Sequence, residues 1–437
     1  MRPPAGERND GKNQAMVKTS QSKEEDETGD GRGAKWALLA VPDFWRLWFV
    51  GLVLFSVRWL ELLAMAVVVY QRSSSPFLVA IITMLRLLPM ALFGAFTGAI
   101  ADRIDRRRTL VFVVLCLMLT SAMLALLALF DALEIWHLAL ASFLNGTAWA
   151  TDNPVRRIMI GEVVGAHSIG PAMSLDIGTN NASRMIGPLI GGVMLENVGI
   201  HGVFMLSVAL YATAAVTALT LRFRSRIVAG TGGHLFAHIV DGLAIVRREK
   251  RLVGALTITI IFNVFGWPFT SMIPVIGQDS LLLDPKGIGL LASMDGLGAF
   301  LGAVAIALYA KPQAYARLYV GGTAIYLVLL PVFALAANPL LAGATLLATG
   351  LTGAAFTVMQ STLIYLLAAP EARSRVFGAL SMCIGLGPIG FVHLGLLADV
   401  IGARWATATI GVEGIVILAL TSPLWLKVVR GDLAAAA

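Results

Sequence analysis

The chain has 437 residues, of which 57% are hydrophobic and only 14% charged, and it carries a formal net charge of +7. Soluble domains run near 45–50% apolar and about 25% charged, so a soluble globular protein is excluded. Several uncharged stretches reach the roughly 20 residues that cross a bilayer, and the composition is that of a polytopic membrane protein, all-α.

Residues 1–35 are rich in Lys, Glu, Asp, Gly and Ser and hold no apolar run, which predicts a disordered cytoplasmic tail and not a signal peptide. Twelve transmembrane helices are then expected, at 45–70, 76–101, 109–131, 134–160, 169–197, 200–222, 252–277, 287–310, 318–337, 339–369, 376–400 and 403–428. The uncharged run Leu318–Pro370 is too long for one crossing and divides at the turn signal Asn338-Pro339. The longest polar interruption lies in the middle. It implies an N-terminal six-helix bundle at 36–223, a cytoplasmic linker at 224–251, a C-terminal bundle at 252–430 and a tail at 431–437. Within the linker, Leu235, Ile239, Leu243 and Ile245 fall near helical spacing. This predicts an amphipathic segment on the inner leaflet, with a calmodulin-like partner as the alternative.

Loop charge orients the helices. With both termini cytoplasmic, the inner loops hold seventeen Lys and Arg residues, among them Arg103, Arg106, Arg107, Arg108, Arg156, Arg157, Lys311, Arg373 and Arg375. The outer loops hold only Arg72, Lys286 and Arg404. Basic residues facing anionic lipid account for the net charge, so no nucleic-acid partner is expected. Cys116 and Cys383 lie in apolar spans and read as packing residues. Without a metal-ligand spacing, nucleophile or phosphate loop, neither a metal, a cofactor nor an enzyme is expected.

A short pattern recurs at every third helix. Gly98-x3-Asp102-x2-Asp105 closes the second, Gly192-x3-Glu196-x2-Gly199 the fifth and Gly395-x3-Asp399-x2-Gly402 the eleventh, while the eighth keeps only Gly302. The alternating sides of the membrane match inverted three-helix repeats, which place a site near the midplane between two rocking halves.

These residues resemble the major facilitator superfamily. Gly98, Asp102, Arg103, Arg106 and Arg107 fill its signature between helices 2 and 3, with Asp105 where a glycine is usual. The stretch "SRMIGPLIGG" is similar to the Gly-Pro-x-x-Gly-Gly motif of its exporters, at Gly187, Pro188, Gly191 and Gly192. "RLLP", "DNPVRR" and "RSRVFGALSMCIGLGPIG" resemble the branch of enterobactin exporters and macrolide efflux proteins. In the fourth helix Phe143 stands where the superfamily carries an arginine, with Asn145-Gly146 following.

Ionisable groups inside spans are the candidate working residues, because they are costly and face partners or water. Arg58 and Glu61, three apart, predict a local ion pair or ligand contacts. Arg86 is a cavity cation or the partner of an acid. Asp176, Asn180 and Arg184, four apart, form a polar stripe toward Pro188. It reads as a substrate path with a gate or as glue between helices, and Asn145 and Asn181 are grouped with it. Asp152 and Arg156, also four apart, predict a structural pair near the inner gate, beside the gating set Gly98, Asp102, Arg103, Arg106, Arg107, Gly187, Pro188, Gly191 and Gly192. Asp295, Glu413 and His393 read as isolated, with Glu61, Asp176 and Asp295 the candidates for proton coupling. The expected activity is export of a small amphiphilic molecule, siderophore-like or drug-like, by alternating access. Proton antiport is expected, from a monomer in the plasma membrane, and Arg86 and Arg184 favour an anionic or catecholate-like substrate. Uptake, or a non-transporting scaffold or sensor of the same fold, remain the alternatives.

Overall fold

A computed structural model describes residues 40–101, 105–222 and 244–430. Asp102, Arg103 and all but the last few residues of the linker lie outside the described residues. The described chain is helical, with no strand. Helix α1 (Pro42–Ser73) begins on a proline, whose missing N–H costs nothing in a first turn, and ends at Ser74 in the left-handed region at φ 51°. Helix α2 (Pro76–Ala101) contains Gly98. Helix α3 (Arg106–Leu129) starts three residues before the predicted position because Asp105 caps it, accepting from the backbone N–H of Arg107 at 3.0 Å and of Arg108 at 3.2 Å. The aspartate that departs from the superfamily signature is therefore an N-cap.

Helix α3 is apolar on every side. Leu110, Val114 and Leu117 face the core, while Phe112 and Leu119 are 67% and 63% exposed. A helix without a polar face is a span in lipid. Nine helices among the described residues are long and apolar enough to cross a membrane, and Pro76–Leu92 is a shorter apolar helix. The expected twelve are thus matched in nine cases by length and composition.

The fourth and fifth predicted helices are one run, α4 (Ile135–Val198), interrupted at Gly165 with φ 73° and ψ 175°. Arg156 and Asp176 form an ion pair across this point. On a straight helix, residues twenty apart would be separated by about 30 Å, so the chain folds back on itself at Gly165. Glycine is needed there because L side chains avoid positive φ. The two arms of α4 are therefore separate antiparallel helices, as expected, joined by a one-residue hinge. Helix α5 (Ile200–Leu219) completes this part of the chain.

Helix α6 (Lys250–Ile261) passes through a π turn at Phe262–Gly266 and a 3-10 turn at Trp267–Met272 before α7 (Ile273–Asp279). Pro268 has no N–H to offer the Val264 carbonyl four residues back, which breaks the α ladder. A Cβ on Gly390 would sit 2.1 Å from that carbonyl, so this glycine lets the neighbouring helix close over the break. Helices α8 (Pro285–Tyr309), α9 (Tyr315–Ala334) and α10 (Pro339–Leu367) follow. The apolar run divides at Asn338-Pro339 as the turn signal predicted, and Asn338 caps α10 by accepting from Leu341 N–H at 2.9 Å. The last two predicted helices are each divided, into α11 (Arg373–Ile384) and α12 (Gly387–Ile401), then α13 (Ala403–Leu420) and α14 (Ser422–Arg430).

Helices α1–α5 meet α6–α14 along two main seams, the second arm of α4 against α8 and α2 against α12. Small residues allow the first. A Cβ on Gly192 would lie 2.4 Å from the Pro285 carbonyl, and one on Gly289 would lie 2.6 Å from the Pro188 carbonyl. Gly187 and Gly191 make the same allowance toward α1, at Trp59 and Leu60. Gly192→Ala should therefore cost about 1–3 kcal/mol by overpacking, read as a lower melting temperature in detergent. An unchanged transition would mean the two backbones do not meet there.

Candidate substrate cavity

The two ends of the molecule are built differently. At the end that carries Ser74, Gly199 and Gly402, the parts are linked three times. Tyr70 at the end of α1 hydrogen-bonds Asp279 at the end of α7. Glu196, ending α4, accepts from the Lys286 N–H at 3.2 Å, at the start of α8. Asp399, near the end of α12, accepts from Phe77 N–H at 3.1 Å and Ser75 Oγ at 3.2 Å, at the start of α2. The two repeat acids thus perform the same act, each placing a carboxylate on the exposed N–H groups of the partner helix. Gly199 and Gly402, the last positions of both repeats, hold φ 83° and 82°. Here one apolar core is shared by both parts, running from Leu60–Tyr70 through Val275 and Leu394.

At the opposite end α1–α5 keep a core of their own, around Phe44, Leu47, Val114, Met159 and Tyr211. Arg106 is paired there with Glu162, and Arg107 donates to the Leu219 carbonyl at 2.6 Å. Both are ties within α1–α5.

Between the parts lies a cavity lined by Arg58, Arg86, Arg184 and Asp295 together with Trp59, Trp149 and Trp267. A second space of about 580 Å³ shares Leu87, Trp149 and Trp267 with it and continues past Asn153, Arg157 and Asn263. Trp149 and Trp267 are walls common to the cavity and this vestibule.

The predicted polar residues divide between this cavity and the packed interior. Arg184 reaches it and bonds Asp295 at 2.5 Å, across the seam between α4 and α8. Asp295 is therefore not isolated. Arg58 does not pair with Glu61. Its Nη2 lies 3.2 Å from Asp152 Oδ1, and its guanidinium stacks 4.9 Å from the Trp149 ring. Glu61, fully buried, accepts from Ser121 Oγ at 2.7 Å and is not among the lining residues. Asp152 and Arg156 are not partners either, although four apart: Asp152 takes Arg58, and Arg156 takes Asp176. The reason is tertiary, since α1 and the second arm of α4 each bring an opposite charge closer than the helix's own.

The stripe on the second arm of α4 is not one path. Asp176 is buried between Arg156 and Arg157, some 12 Å along the helix from Arg184. Asn180 and Asn181 are half-buried and line neither space. Asn145 donates to the Ala141 carbonyl at 3.1 Å. His393 and Glu413 pair at 2.8 Å. The cavity tryptophans carry a signal of their own in the sequence, separate from the charges. Membrane tryptophans gather at the interfaces, whereas Trp59, Trp149 and Trp267 lie mid-span.

Comparison with known proteins agrees with this architecture. The profile of the transmembrane secretion effector family matches residues 33–430. Macrolide efflux protein A of Streptococcus pyogenes is 21% identical over 363 residues, covering 78% of this chain and 86% of its own. The staphyloferrin A transporter of Staphylococcus aureus is 22% identical, covering 77% and 85%. An uncharacterised transporter of Bacillus subtilis is 27% identical, covering 81% and 86%. Among solved structures, a nucleoside transporter superposes with a TM-score of 0.70 at 11% identity, covering 89% of this chain and all of that one. A bacterial homologue of the human lysosomal transporter Spinster gives 0.66 at 16% identity, covering 92% and 98%. Likeness at that identity concerns the fold, while the family match spans nearly the whole sequence. The chain belongs to the transmembrane secretion effector family of the major facilitator superfamily, and it is a multi-pass membrane transporter.

Proposed function

We propose that the protein exports a small amphiphilic molecule by alternating access, in exchange for protons, as a monomer in the plasma membrane. Both termini are cytoplasmic in this reading, twelve crossings form two bundles on either side of residues 224–251, and the Ser74 end faces outward. The observation that carries it is the asymmetry of the two ends. Among the described residues, the outer end has a shared core and three ties between the parts; at the inner end α1–α5 pack around a core of their own, beside a vestibule that shares walls with the cavity. Alternating access requires a central site reached from one side at a time. Efflux and siderophore transport among the relatives supports the direction and the substrate size.

Asp295 is the proton site this geometry favours. It lines the cavity, and neutralising it would weaken its hold on Arg184 and so the α4–α8 seam, coupling a proton to the outer closure. Glu61 is the second candidate, a buried carboxyl one helix layer behind. Asp176 serves the inner packing instead.

Inside-out vesicles containing the protein, given a proton gradient and a panel of macrolides, siderophores and dyes, should concentrate at least one compound. An uncoupler should abolish that accumulation. No gradient-driven accumulation of any compound would overturn the proposal, and accumulation only in right-side-out vesicles would convert it to uptake.

A further inference from the structure

The polar atoms of the cavity do not balance. Among the described residues, Arg58 Nη1, Trp59 Nε1, Arg86 Nη1 and Arg86 Nη2 are buried donors with no hydrogen-bond partner, and all belong to lining residues. The corresponding acceptors are fewer: Asp295 Oδ1 among the lining residues, Glu61 Oε2 behind Arg86 and Asn153 Oδ1 in the second space. The hydroxyls that line the same space have committed their protons, so they add no free donor and can only accept. Thr83 donates to the Val79 carbonyl, Thr270 to Trp267 and Ser271 to Pro268. A buried donor left unsatisfied is costly, the more so when charged, so the cavity favours a ligand rich in acceptors.

Charge points the same way. Of the three arginines, Arg58 is compensated by Asp152 and Arg184 by Asp295. Arg86, only 3% exposed, has no ion pair within 4 Å among the described residues; the charge of Glu61 acts on it from farther off, with one carboxylate oxygen taken by Ser121 and the other without a partner. A guanidinium offers parallel N–H groups that fit a carboxylate in two-point contact. The remaining walls are flat and apolar, built by Trp59, Trp149 and Trp267.

We propose that a small organic anion binds here, its carboxylate held by Arg86 and the Trp59 indole N–H in the cavity of about 90 Å³, and its flat apolar body at Trp149 and Trp267, where the cavity adjoins the 580 Å³ space. This rests on the transport reading and names the substrate class for it. A hydroxyl or amide N–H elsewhere on the molecule would satisfy Asp295 Oδ1.

The test is titration of the purified full chain in nanodiscs, without a gradient, using 2-naphthoate, neutral 2-naphthamide and cationic 2-naphthylmethylamine as probes. The naphthoate should bind at least 10-fold more tightly than the other two. Arg86→Gln should erase that preference, and Arg86→Lys should keep part of it, because a lysine preserves the charge without the two-point contact. No naphthoate binding, equal binding of the three probes, or a preference intact in Arg86→Gln would overturn the proposal. If either variant fails to fold, the ranking of the three probes on the unaltered protein decides. Binding measured this way has no direction. An anion site in a protein that fails to export leaves this assignment standing, and export with no anion preference removes it alone.

Discussion

Asp176→Ala is expected to cost about 3–5 kcal/mol of stability, because it strips a buried arginine of its counter-charge. Arg156 is fully buried, and its Nε and Nη2 already lack partners. Gly51 makes room for its guanidinium, since a Cβ there would lie 2.5 Å from Nη1, and the Phe55 ring stacks 4.7 Å away. Among the described residues, no second acid is in ion-pair contact with Arg156. Arg157 will not suffer equally, because it meets Asp176 at 3.4 Å with 42% of its side chain exposed and can turn to water. Asp176→Asn should cost less, as it keeps an acceptor oxygen. The double replacement Arg156→Met with Asp176→Leu should recover most of the loss, since apolar groups of similar volume replace a buried pair at little cost. Thermal unfolding of the purified variants separates these outcomes. A substrate contact at Asp176 would instead raise KM with the unfolding transition unmoved.

The second large effect is on coupling. Asp295→Asn should reduce gradient-driven accumulation by more than about 10-fold while leaving substrate counterflow within about 3-fold. An amide holds no titratable proton but still accepts a hydrogen bond from Arg184, so the cavity stays formed while the charge that ties it to Arg184 is gone. A charge-assisted bond is worth about 1.5–3 kcal/mol, enough to bias a two-state closure. Arg184→Ala and Asp295→Ala should then be non-additive, with an interaction of about 0.5–3 kcal/mol in a double-mutant cycle. Normal accumulation by Asp295→Asn would place the proton elsewhere and leave the Arg184–Asp295 pair as a brace between α4 and α8. The readout that matters is the split between the two transport modes, because loss of both would report only a damaged cavity.

Most of the helices were legible because a bilayer leaves the backbone no other choice than internal hydrogen bonds. Where the ends moved, a capping group explains it, as at Asp105. Where helices broke, proline or glycine explains it, as at Pro268 and Gly165. The glycine pattern of the fifth predicted helix was also legible, since small residues four apart mark close backbone approach. The pairing of charges was not. Periodicity along one helix suggested Arg58 with Glu61 and Asp152 with Arg156, and all four residues found other partners. Spacing of three or four shows which side chains can meet on a lone helix, and a neighbouring helix can bring a better charge closer. The polar stripe failed as one path for the same reason, since Asp176 faces Arg156 while Arg184 faces Asp295.

From sequence alone came the membrane setting, the superfamily, the glycine seam and the repeated acid pattern, all properties of local composition and spacing. What the acids of that pattern do was settled by tertiary structure. Glu196 and Asp399 lie on different parts of the chain, yet each closes on a helix start some 90 and 320 residues away in sequence. Which arginine is left without a close ion pair among the described residues was settled in the same way. Charge balance at a buried site depends on every helix that packs against it, and that sum exists only after the chain has folded.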